Sequence, residues 1–531
     1  NYRWWMITKH LKRWEEDNKN YFVFTEFPGF PGWASNSGAI PAPAGHQFYD
    51  LRWMRDPQYL KSYAEYWLSG PPSHEMQYQN NCWLSTLPRP QSHHYTSWMI
   101  DASEAMLKIH PDAQWRDRLL PSMERHQEIW DLIFGVNAPQ TTTHGLYKCL
   151  DMYDANEFTI STTLGLIASE GSFSDYTAEL NREDPYKGEE RWRRYFTDGK
   201  GWQAAFNEGL KSKPFVYPQA YELDNYQTQP QPFGGNHDWY IDKDGERKTK
   251  NPNSYPNCFT VRPSLNCYMY GNLHSLANLY SLQAAEDGGH SSKQKADVYA
   301  KRASELQKNI LDSLWHHPSA EDTFVFYKKR GAIDDPFFYS RLAGDNLHTG
   351  GVVDQLSLVR ETVGYTPWYF SMLPHDDSQY DIAWKQFGDE MGFRQPFGMS
   401  TTEYRHDFFN EMSYGWNGRG WPFQNSVVYK AYAKYLRDYK ATRSAISEED
   451  RQLLYDHVTQ YVELHGRRRS IGEWYLPRTG GYRMPGGGDV VQSLPAMGKG
   501  FGDVQDYFHS TFPDVLIEDL IGFQGSHGDS F

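Results

Sequence analysis

The stretch Tyr270–Trp315, YGNLHSLANLYSLQAAEDGGHSSKQKADVYAKRASELQKNILDSLW, decides the fold. Apolar residues recur at three- and four-residue spacing along Tyr270–Ala285 and again along Gln294–Trp315, which is the period of a helix with one buried face. The segment Glu286–Gly289 (EDGG) interrupts the pattern, and glycine is the residue that most often ends a helix. The stretch therefore predicts two antiparallel helices joined by a short turn.

Two further helical pairs carry the same pattern: Trp98–Ile109 with Trp115–Phe134, and Ser426–Leu436 with Glu448–Leu464. Ser447 precedes the last of these helices and Asp450 follows three residues later, so the two side chains can cap the helix start reciprocally. Pro422 fits the first turn of the Ser426 helix, because proline has no N–H to leave unpaired there.

Long segments rich in glycine, proline and aromatic residues separate these helical pairs. Such loops would have no explanation in a simple helical bundle, whereas a ring of helical hairpins carries them over one face. We therefore predict an all-α fold, an (α/α)6 toroid with long loops over the active-site face. No sharp linker divides residues 1–531, so we expect a single domain, with residues 172–260 as a loop-rich elaboration.

Composition excludes some partners and favours others. The net charge of −14 argues against nucleic acid, and no stretch of about 18 uncharged apolar residues could cross a membrane. Aromatic residues make up 16% of the chain, and their flat faces with polar edges suit sugar rings. The four Cys show no CxxC spacing, so we expect no zinc cage, and no cofactor is implied. Asn1 in place of an initiator Met leaves open a targeting segment or an N-terminal β-domain upstream.

Three carboxylates stand at three-residue spacing in Asp151, Asp154 and Glu157. On a helix or a tight turn they would crowd one face, and mutual repulsion raises the pKa of at least one of them. A raised pKa is what a general acid needs near neutral pH. The alternative is a helix N-terminus, where acidic residues are stabilising without any catalytic role.

Two other segments combine polar groups with tryptophan. In Trp416–Trp421 (WNGRGW) two Trp stand five residues apart, separated by glycines that let the backbone approach a ligand. The alternative is a structural turn that packs the two rings together. In Gly472–Tyr475 (GEWY) a lone carboxylate, Glu473, stands beside aromatic residues that would desolvate it and raise its pKa.

The set of segments resembles the six-hairpin glycosidases of glycoside hydrolase family 63 and the mannosylglycerate-hydrolase type, roughly from Phe24 to Gly522. The likeness rests on segments that follow one another in the expected order: Thr25–Phe27, Ile40–His46, Tyr49–Asp56, Arg262–Tyr270, Gly364–Phe370, Gly392–Glu403, Trp416–Pro422, Gly472–Tyr475 and Asp506–Thr511.

The resemblance implies roles for the carboxylates. Glu157 falls on the general acid of the family and Glu473 on its general base. Ala155 and Asn156 depart from the Gly-Met pattern that precedes the acid, which keeps Asp154 open as the alternative acid. The residues that the resemblance and the residue chemistry suggest around the sugar are Glu26, Asp151, Trp368, Glu403, Arg405, Trp416, Asn417, Arg419, Trp421, Trp474 and His509; Arg419 stands where the family has Pro.

We therefore expect a glycoside hydrolase that cleaves an oligo- or polysaccharide from its end with inversion of configuration. Inversion would separate the two carboxyl groups by about 6.5–9.5 Å, against about 5–5.5 Å for retention. Such an activity favours a secreted or periplasmic setting. Two alternatives remain open on the same toroid: a polysaccharide lyase, and a glycan-binding protein without catalysis.

Overall fold

The computed structural model describes residues 2–28, 34, 37–74, 76–77, 89–134, 144–150, 154–156, 159–162, 164, 239–241, 247–249, 259–319, 322, 327, 329–345, 352–411, 416–468, 470–479 and 506–525. Asp151, Glu157 and nearly all of residues 172–260 lie outside this part of the chain. Among the described residues, no helix is long and apolar enough to cross a membrane.

Helices dominate the described structure. In chain order they are α1 (Tyr2–His10), α2 (Ala44–Leu51), α3 (Gln58–Leu68), α4 (Met99–Ile109), α5 (Ala113–Phe134), α6 (Pro263–Asp287), α7 (His290–Leu314), α8 (Thr366–Tyr369), α9 (Lys385–Gly388), α10 (Pro422–Lys434), α11 (Ala441–Arg443), α12 (Glu448–Arg468) and α13 (Phe512–Asp514). Single π-helical turns follow α10 and α13, at Tyr435–Lys440 and Val515–Leu520. Short 3₁₀ turns lie at Pro71–Ser73, Gln91–His93, Thr362–Tyr365 and Asp381–Trp384.

The strands are short and lie between the helices. They are β1 (Leu11–Glu16), β2 (Lys19–Phe24), β3 (Met76–Gln77), β4 (Arg89–Pro90), β5 (Cys149–Leu150), β6 (Trp239–Ile241), β7 (Arg247–Thr249), β8 (Phe259–Val261), β9 (Trp315–His316), β10 (Phe337–Phe338), β11 (Arg341–Asp345), β12 (Val352–Leu356), β13 (Arg394–Gln395) and β14 (Gly398–Met399). Apart from two-stranded pairs, the described strands form one antiparallel sheet in the order β12-β11-β8-β5. Periodicity did not predict this sheet, because strands of two to five residues are too short to display a pattern.

The hairpin expected within Tyr270–Trp315 is confirmed as α6 and α7. Gly288 ends α6 in the left-handed conformation with φ of 66°, which costs glycine little because it has no Cβ. The predicted helical pairs elsewhere are also present, as α4 with α5 and α10 with α12.

The predicted caps are also present. At the start of α12 the Ser447 N–H and hydroxyl both donate to Asp450 Oδ2, at 3.0 and 2.8 Å, and the Asp450 N–H donates back to the hydroxyl. Pro422 occupies the first helical position of α10.

Six inner segments form a closed circuit. Helices α2, α4, α6, α8 and α10 contact one another in that order, α10 contacts the π turn after α13, and α13 contacts α2. Nearly every residue of α2 and α10 is buried, as a helix with protein on all sides requires. This closure is the inner wall of the toroid.

The outer helices pack against this wall through one apolar face. Helix α7 runs antiparallel to α6, and α12 packs on α10, while α5 contacts both α6 and α3. The buried residues of α7 recur every three or four positions: Ser292, Ala296, Tyr299, Ala303, Leu306, Ile310, Ser313 and Leu314. The amphipathic pattern that predicted the helices is therefore clearest in the helices of the outer ring, which are buried on one face only.

A group of buried charges joins three inner segments where the circuit closes. Lys430 on α10 lies 2.8 Å from Asp514 and 3.2 Å from Asp519, and it also pairs with Glu518. Arg52, directly after α2, lies 2.7 Å from Asp514 and 2.6 Å from Glu518. These three acids could hold a metal ion by their spacing. Since Lys430 and Arg52 already bind their oxygens, we interpret the group as an ion-pair clasp.

Replacing Lys430 with Met should break the clasp. Asp514 keeps Arg52 and Asp519 keeps Arg437, but both side chains are fully buried and would lose one compensating charge. We therefore expect the free energy of unfolding to fall by about 3–5 kcal/mol. Urea denaturation measures the change. The control is Lys308→Met, which removes the exposed pair with Asp312 and should change the stability by less than about 0.5 kcal/mol. Equal losses in the two variants would contradict the clasp.

Candidate active site

Glu473 lies on an extended segment that is held from both sides. The Tyr507 N–H donates to the carbonyl of Ile471 at 2.9 Å. On the other side Gly420 and Tyr475 exchange two backbone hydrogen bonds, at 3.0 and 2.9 Å. Glu473 is therefore fixed between the segment of Tyr507 and the turn that ends at Trp421.

The Tyr475 side chain packs against the segments of Gly398 and Gly420 and fixes their positions relative to the Glu473 segment. A Cβ built on Gly420 would lie 2.1 Å from Tyr475 Cζ, and one built on Gly398 would lie 2.7 Å from its hydroxyl. The Tyr475 hydroxyl donates to the carbonyl of Met399 and accepts from its N–H, at 3.0 and 3.1 Å. Only glycine leaves room for the ring at these two positions.

The Glu473 side chain is partly exposed and surrounded by protein. Tyr507 donates its hydroxyl hydrogen to Glu473 Oε1 at 3.3 Å, and His509 Nε2 lies 3.1 Å from the Glu473 carbonyl oxygen. Burial raises the pKa of Glu473 to about 7, while the Tyr507 hydrogen bond and the positive charge of Arg419 oppose the rise. A carboxyl group with such a pKa can exchange a proton near neutral pH.

The WNGRGW segment forms a turn that closes on its two tryptophans. The rings of Trp416 and Trp421 stack with centroids 4.5 Å apart and planes 8° from parallel. The hydroxyls of Thr401 and Thr402 donate to the carbonyl of Trp416, at 2.9 and 3.2 Å. The buried Asn417 amide donates to the carbonyl of Phe408 at 3.4 Å. Both rings are nearly buried, so the turn has the structural packing that the sequence left open as an alternative.

Arg419 projects from this turn towards the Glu473 segment. Its guanidinium carbon lies 3.7 Å from the centroid of the Trp474 ring, and its Nε donates to the carbonyl of Glu411 at 3.2 Å. Only 1% of Arg419 and 2% of Trp474 is exposed. Arg419 therefore contacts protein rather than the rim of an open cleft.

Asp154 is completely buried and engaged through both oxygens. Arg262 lies 2.7 Å from Oδ1, to which the Asn156 N–H also donates, and the Ser264 hydroxyl donates to Oδ2 at 2.5 Å. Burial raises the pKa of Asp154 above its usual value, with the Arg262 charge opposing. Arg262 and Ser264 flank the start of α6, so Asp154 ties its segment to the inner wall.

Ala155 adopts a left-handed conformation with φ of 57°. A side chain makes this region unfavourable, whereas glycine adopts it freely. Ala155 stands where the family pattern has Gly, two residues before Glu157. Ala155 thus has the backbone conformation that glycine adopts freely, and the role of Glu157 stays a prediction.

The segment that flanks Glu157 is connected to the Trp416 turn. The Ser161 N–H and hydroxyl donate to the two carboxylate oxygens of Glu361, at 3.0 and 2.6 Å. Glu361 in turn pairs through its backbone with Thr402, whose hydroxyl binds the carbonyl of Trp416. Two hydrogen-bonded links thus join residues 159–162 to the loop beside Glu473.

Three of the residues expected around the sugar lie in the packed interior. Glu403 is fully buried, with Oε1 bound by the Tyr327 hydroxyl at 2.5 Å and by Arg360 at 3.2 Å. Arg405 donates to Gln386 and pairs with Asp389 and Glu403. The Trp368 ring packs against Phe338 and Trp384. Direct sugar contacts by Trp368, Glu403 and Arg405 stay predictions, which this burial does not support.

The remaining residues that were expected at the site lie close to Glu473, or they are not among the residues that the structure describes. Trp416, Asn417, Arg419, Trp421, Trp474 and His509 are brought together with it by the contacts above. Glu26 is nearly buried, and its carbonyl accepts from the Phe508 N–H at 2.9 Å, one residue from both Tyr507 and His509. Asp151 and Glu157 are not among the described residues.

Two residues near the site were not singled out from the sequence. Tyr507 binds Glu473 directly and stands two residues before His509, the spacing that puts side chains on one face of an extended segment. His46 binds the Thr511 hydroxyl at 2.6 Å and lies between the rings of Trp98 and Phe423. The two-residue spacing between Tyr507 and His509 is the sequence signal that could have identified Tyr507. No sequence pattern distinguished His46 from its neighbours.

A helical toroid with a carboxyl group of raised pKa among aromatic rings is the arrangement expected of a glycoside hydrolase, whose reaction uses carboxyl groups as acid and base. The family model of the mannosylglycerate hydrolase MGH1-like glycoside hydrolase domain matches residues 36–510, and the chain belongs to this family. This assignment confirms the predicted glycoside hydrolase class and the predicted all-α toroid.

Solved structures that align with this chain differ widely from it in sequence. A sialidase structure aligns with a TM-score of 0.62 and 22% identity over 99% of this chain, which spans 34% of the sialidase chain. A GH63 mannosylglycerate hydrolase from Thermus thermophilus, in complex with glucose, aligns at 13% identity and a TM-score of 0.46, covering 89% of this chain and 91% of that one. A metal-independent α-mannosidase from Streptococcus pneumoniae aligns at 9% identity and 0.42, covering 90% and 88%. No curated protein matches the sequence.

The fit of Tyr475 to its glycines predicts the effect of a single methyl group. Gly420→Ala would place a Cβ 2.1 Å from the Tyr475 ring, so we expect the free energy of unfolding to fall by about 1–3 kcal/mol. Glycosidase activity should also fall, because Glu473 shares the displaced segment. Gly466→Ala on α12 is the control: its Cβ meets nothing within 4 Å and should add about 0.5–1 kcal/mol of stability. Unchanged stability and activity in Gly420→Ala would contradict this assignment.

Proposed function

We propose that this domain hydrolyses a glycosidic bond at the end of an oligo- or polysaccharide with inversion of configuration. Glu473 acts as the general base and Glu157 as the general acid. The observation that carries the proposal is Glu473 itself, a partly exposed carboxyl group whose pKa burial raises to about 7 beside Trp474. A glycan is the substrate expected from the family.

The surroundings of Glu473 suit a base that activates water. Its segment is fixed by backbone hydrogen bonds on both edges, so the carboxylate needs little reorganisation before it accepts a proton. The Tyr507 hydroxyl engages Oε1, which leaves Oε2 for a water molecule. With a pKa near 7, the deprotonated form is present at neutral pH and takes up a proton readily.

Two observations favour Glu157 over Asp154 as the acid. Asp154 is fully buried and its oxygens are occupied by Arg262, Asn156 and Ser264, so its proton could not reach a glycosidic oxygen without breaking these bonds. The left-handed Ala155 matches the Gly of the family pattern and thereby aligns Glu157 with the family's acid. Asp154 then holds the segment in place.

Aromatic residues pack around the segment of Glu473. Trp474 adjoins Glu473 directly, and the stacked pair of Trp416 and Trp421 lies across the Gly420–Tyr475 backbone pairing. The three rings are at most 4% exposed, so they pack behind the Glu473 segment and present little open face to a sugar. Direct sugar contacts by these rings and by Asn417, Glu26 and His509, which are at most 7% exposed, stay predictions that this burial does not support. Asp151 stays a predicted hydrogen-bonding group and lies outside the described residues.

In the proposed reaction Glu157 gives its proton to the leaving oxygen while Glu473 removes a proton from water. The water attacks the anomeric carbon from the opposite ring face, so the product has the inverted configuration. The proton taken by Glu473 returns to solvent and Glu157 is reprotonated. Each of the two transfers contributes a factor of about 10²–10⁴ to the rate.

Separate replacement of Glu473 and Glu157 with Gln tests both roles. We expect kcat for release of reducing sugar to fall about 10²–10⁴-fold in each variant, with the unfolding transition unchanged. Glu305→Gln, an exposed position on α7, is the control and should keep full activity. Undiminished turnover in either site variant removes that residue from its role.

A comparison of leaving groups separates the acid from the base. An activated leaving group such as dinitrophenolate needs little protonation, so Glu157→Gln should lose far less activity on dinitrophenyl glycosides than on alkyl glycosides. Glu473→Gln should lose activity equally on both. Asp154→Asn should lower the stability without this dependence on the leaving group, and a dependence seen there instead would exchange the roles of Asp154 and Glu157.

The pKa of Glu473 predicts the acid side of the pH profile. A base works only when deprotonated, so kcat/KM should decline as the pH falls through about 7, the pKa of this carboxyl group. Rates measured in constant ionic strength buffers between acidic and alkaline pH check this limb. A profile that stays flat well below neutrality would contradict Glu473 as the base.

Product analysis distinguishes the remaining alternatives. NMR of the first-formed anomer separates inversion from retention. A lyase would instead produce unsaturated chain ends that absorb ultraviolet light, and a glycan-binding protein would bind without turnover.

A further inference from the structure

Arg419 is a cation buried directly beneath the residue that follows Glu473. Its guanidinium carbon lies 3.7 Å from the Trp474 ring centroid and only 1% of the residue is exposed. Its Nε donates to the Glu411 carbonyl, and its own carbonyl accepts from the N–H and hydroxyl of Thr401, both at 3.0 Å. Side chain and backbone are thus both anchored, so the charge has a fixed position.

A buried guanidinium is costly to desolvate unless a negative charge lies nearby. Among the described residues, Tyr507 binds the Glu473 carboxylate, His509 lies beside its carbonyl oxygen, and His465 Nδ1 accepts from the Gly472 N–H. Arg3 donates to the Tyr507 carbonyl and pairs with the buried Asp50, whereas the charge of Arg419 acts on the Glu473 carboxyl group. Burial lowers the pKa of His465 to about 3 and holds that of His509 well below its usual value. Both imidazoles are therefore neutral at pH 7, and Arg419 is the described cation whose charge lowers the pKa of Glu473.

We propose that Arg419 is a positioning residue that keeps the Glu473 carboxylate ionised and holds the Trp474 ring in place beside it. The proposal rests on the assignment of Glu473 as the general base. Burial alone raises the pKa of Glu473, and the charge of Arg419 lowers it again. Without Arg419 a larger share of Glu473 would be protonated at neutral pH and unable to activate water.

The position of Arg419 in the turn explains why this residue can act on Glu473. Gly420, its neighbour, pairs with Tyr475, so the Arg419 and Trp474 side chains lie on facing segments. In the family pattern Pro follows Trp-Asn-Gly, and Pro carries no charge. The replacement therefore adds a charged group beneath the Trp474 ring.

Two substitutions separate charge from shape. Arg419→Met removes the charge but keeps an unbranched side chain against Trp474, and we expect the acid limb of kcat/KM to move up by about one pH unit. Arg419→Lys keeps the charge, so the acid limb of its kcat/KM profile should lie within a few tenths of a pH unit of that of the wild type. The substrate is the aryl glycoside with the highest turnover in a panel. A rate that falls equally at all pH values in Arg419→Met would overturn the proposal.

Arg478→Met is the matched control. Arg478 also stacks on an aromatic ring, with its guanidinium carbon 3.7 Å from the Tyr404 centroid, and it stands five residues after Glu473. It is not among the charges that shift the pKa of Glu473. The acid limb of this variant should match that of the wild type, and a shift equal to that of Arg419→Met would overturn the specific role of Arg419.

A titration without substrate tests the same coupling independently of catalysis. In protein labelled with ¹³C at the glutamate carboxyl carbon, the Glu473 resonance is assigned by its absence in Glu473→Gln. Its titration midpoint should rise in Arg419→Met, and an unmoved midpoint would overturn the proposal. Full activity in Glu473→Gln would refute the assigned base instead, while the midpoints would still report whether Arg419 controls this carboxyl group.

Discussion

The contact of the Tyr475 ring with two glycines holds the candidate site together. The ring fills the space above Gly398 and Gly420, its hydroxyl exchanges hydrogen bonds with Met399, and its backbone pairs with Gly420. Through these contacts one side chain sets the distance between the β13–β14 hairpin, the tryptophan turn and the segment of Glu473. The Glu473 carboxyl group is therefore located by close packing, and protein interiors of ordinary density allow such packing little freedom.

Buried ion pairs also fix the segments around the site relative to one another. Asp154 with Arg262, Glu403 with Arg360, and Asp514 with Lys430 each join segments far apart in the chain, and all six side chains are fully buried. Such pairs contribute little net stability but are costly to break, so they favour one arrangement of the loops over others. Glu473 differs from these acids because it is partly exposed and lacks a direct salt bridge among the described residues.

The sequence predicted the helical framework well because that framework depends on local patterns. The α6–α7 hairpin, the glycine that ends α6, and the Ser447–Asp450 cap are all determined by residues within a few positions of one another. Local patterns were not sufficient for Trp416 and Trp421. Their spacing was compatible with both a ligand platform and a packed turn, because spacing alone does not reveal which ring faces are covered by other residues.

The environment of individual polar residues was harder to predict. Glu403 and Arg405 have the chemistry of sugar-binding groups, but their partners Arg360, Tyr327 and Gln386 come from other segments and enclose them. Asp154 is likewise occupied by Arg262, more than a hundred residues away. Local sequence does not encode such long-range partners, whereas the glycine-like backbone of Ala155 could be related to the family pattern once its φ was known.

The stacked indoles of the tryptophan turn have an optical consequence. With centroids 4.5 Å apart and planes 8° from parallel, the electronic transitions of Trp416 and Trp421 couple strongly to each other. Near-ultraviolet circular dichroism should therefore contain an exciton contribution from this turn. Any change that tilts or separates the two rings would alter that band, so the turn carries an intrinsic spectroscopic reporter of its own packing that needs no label.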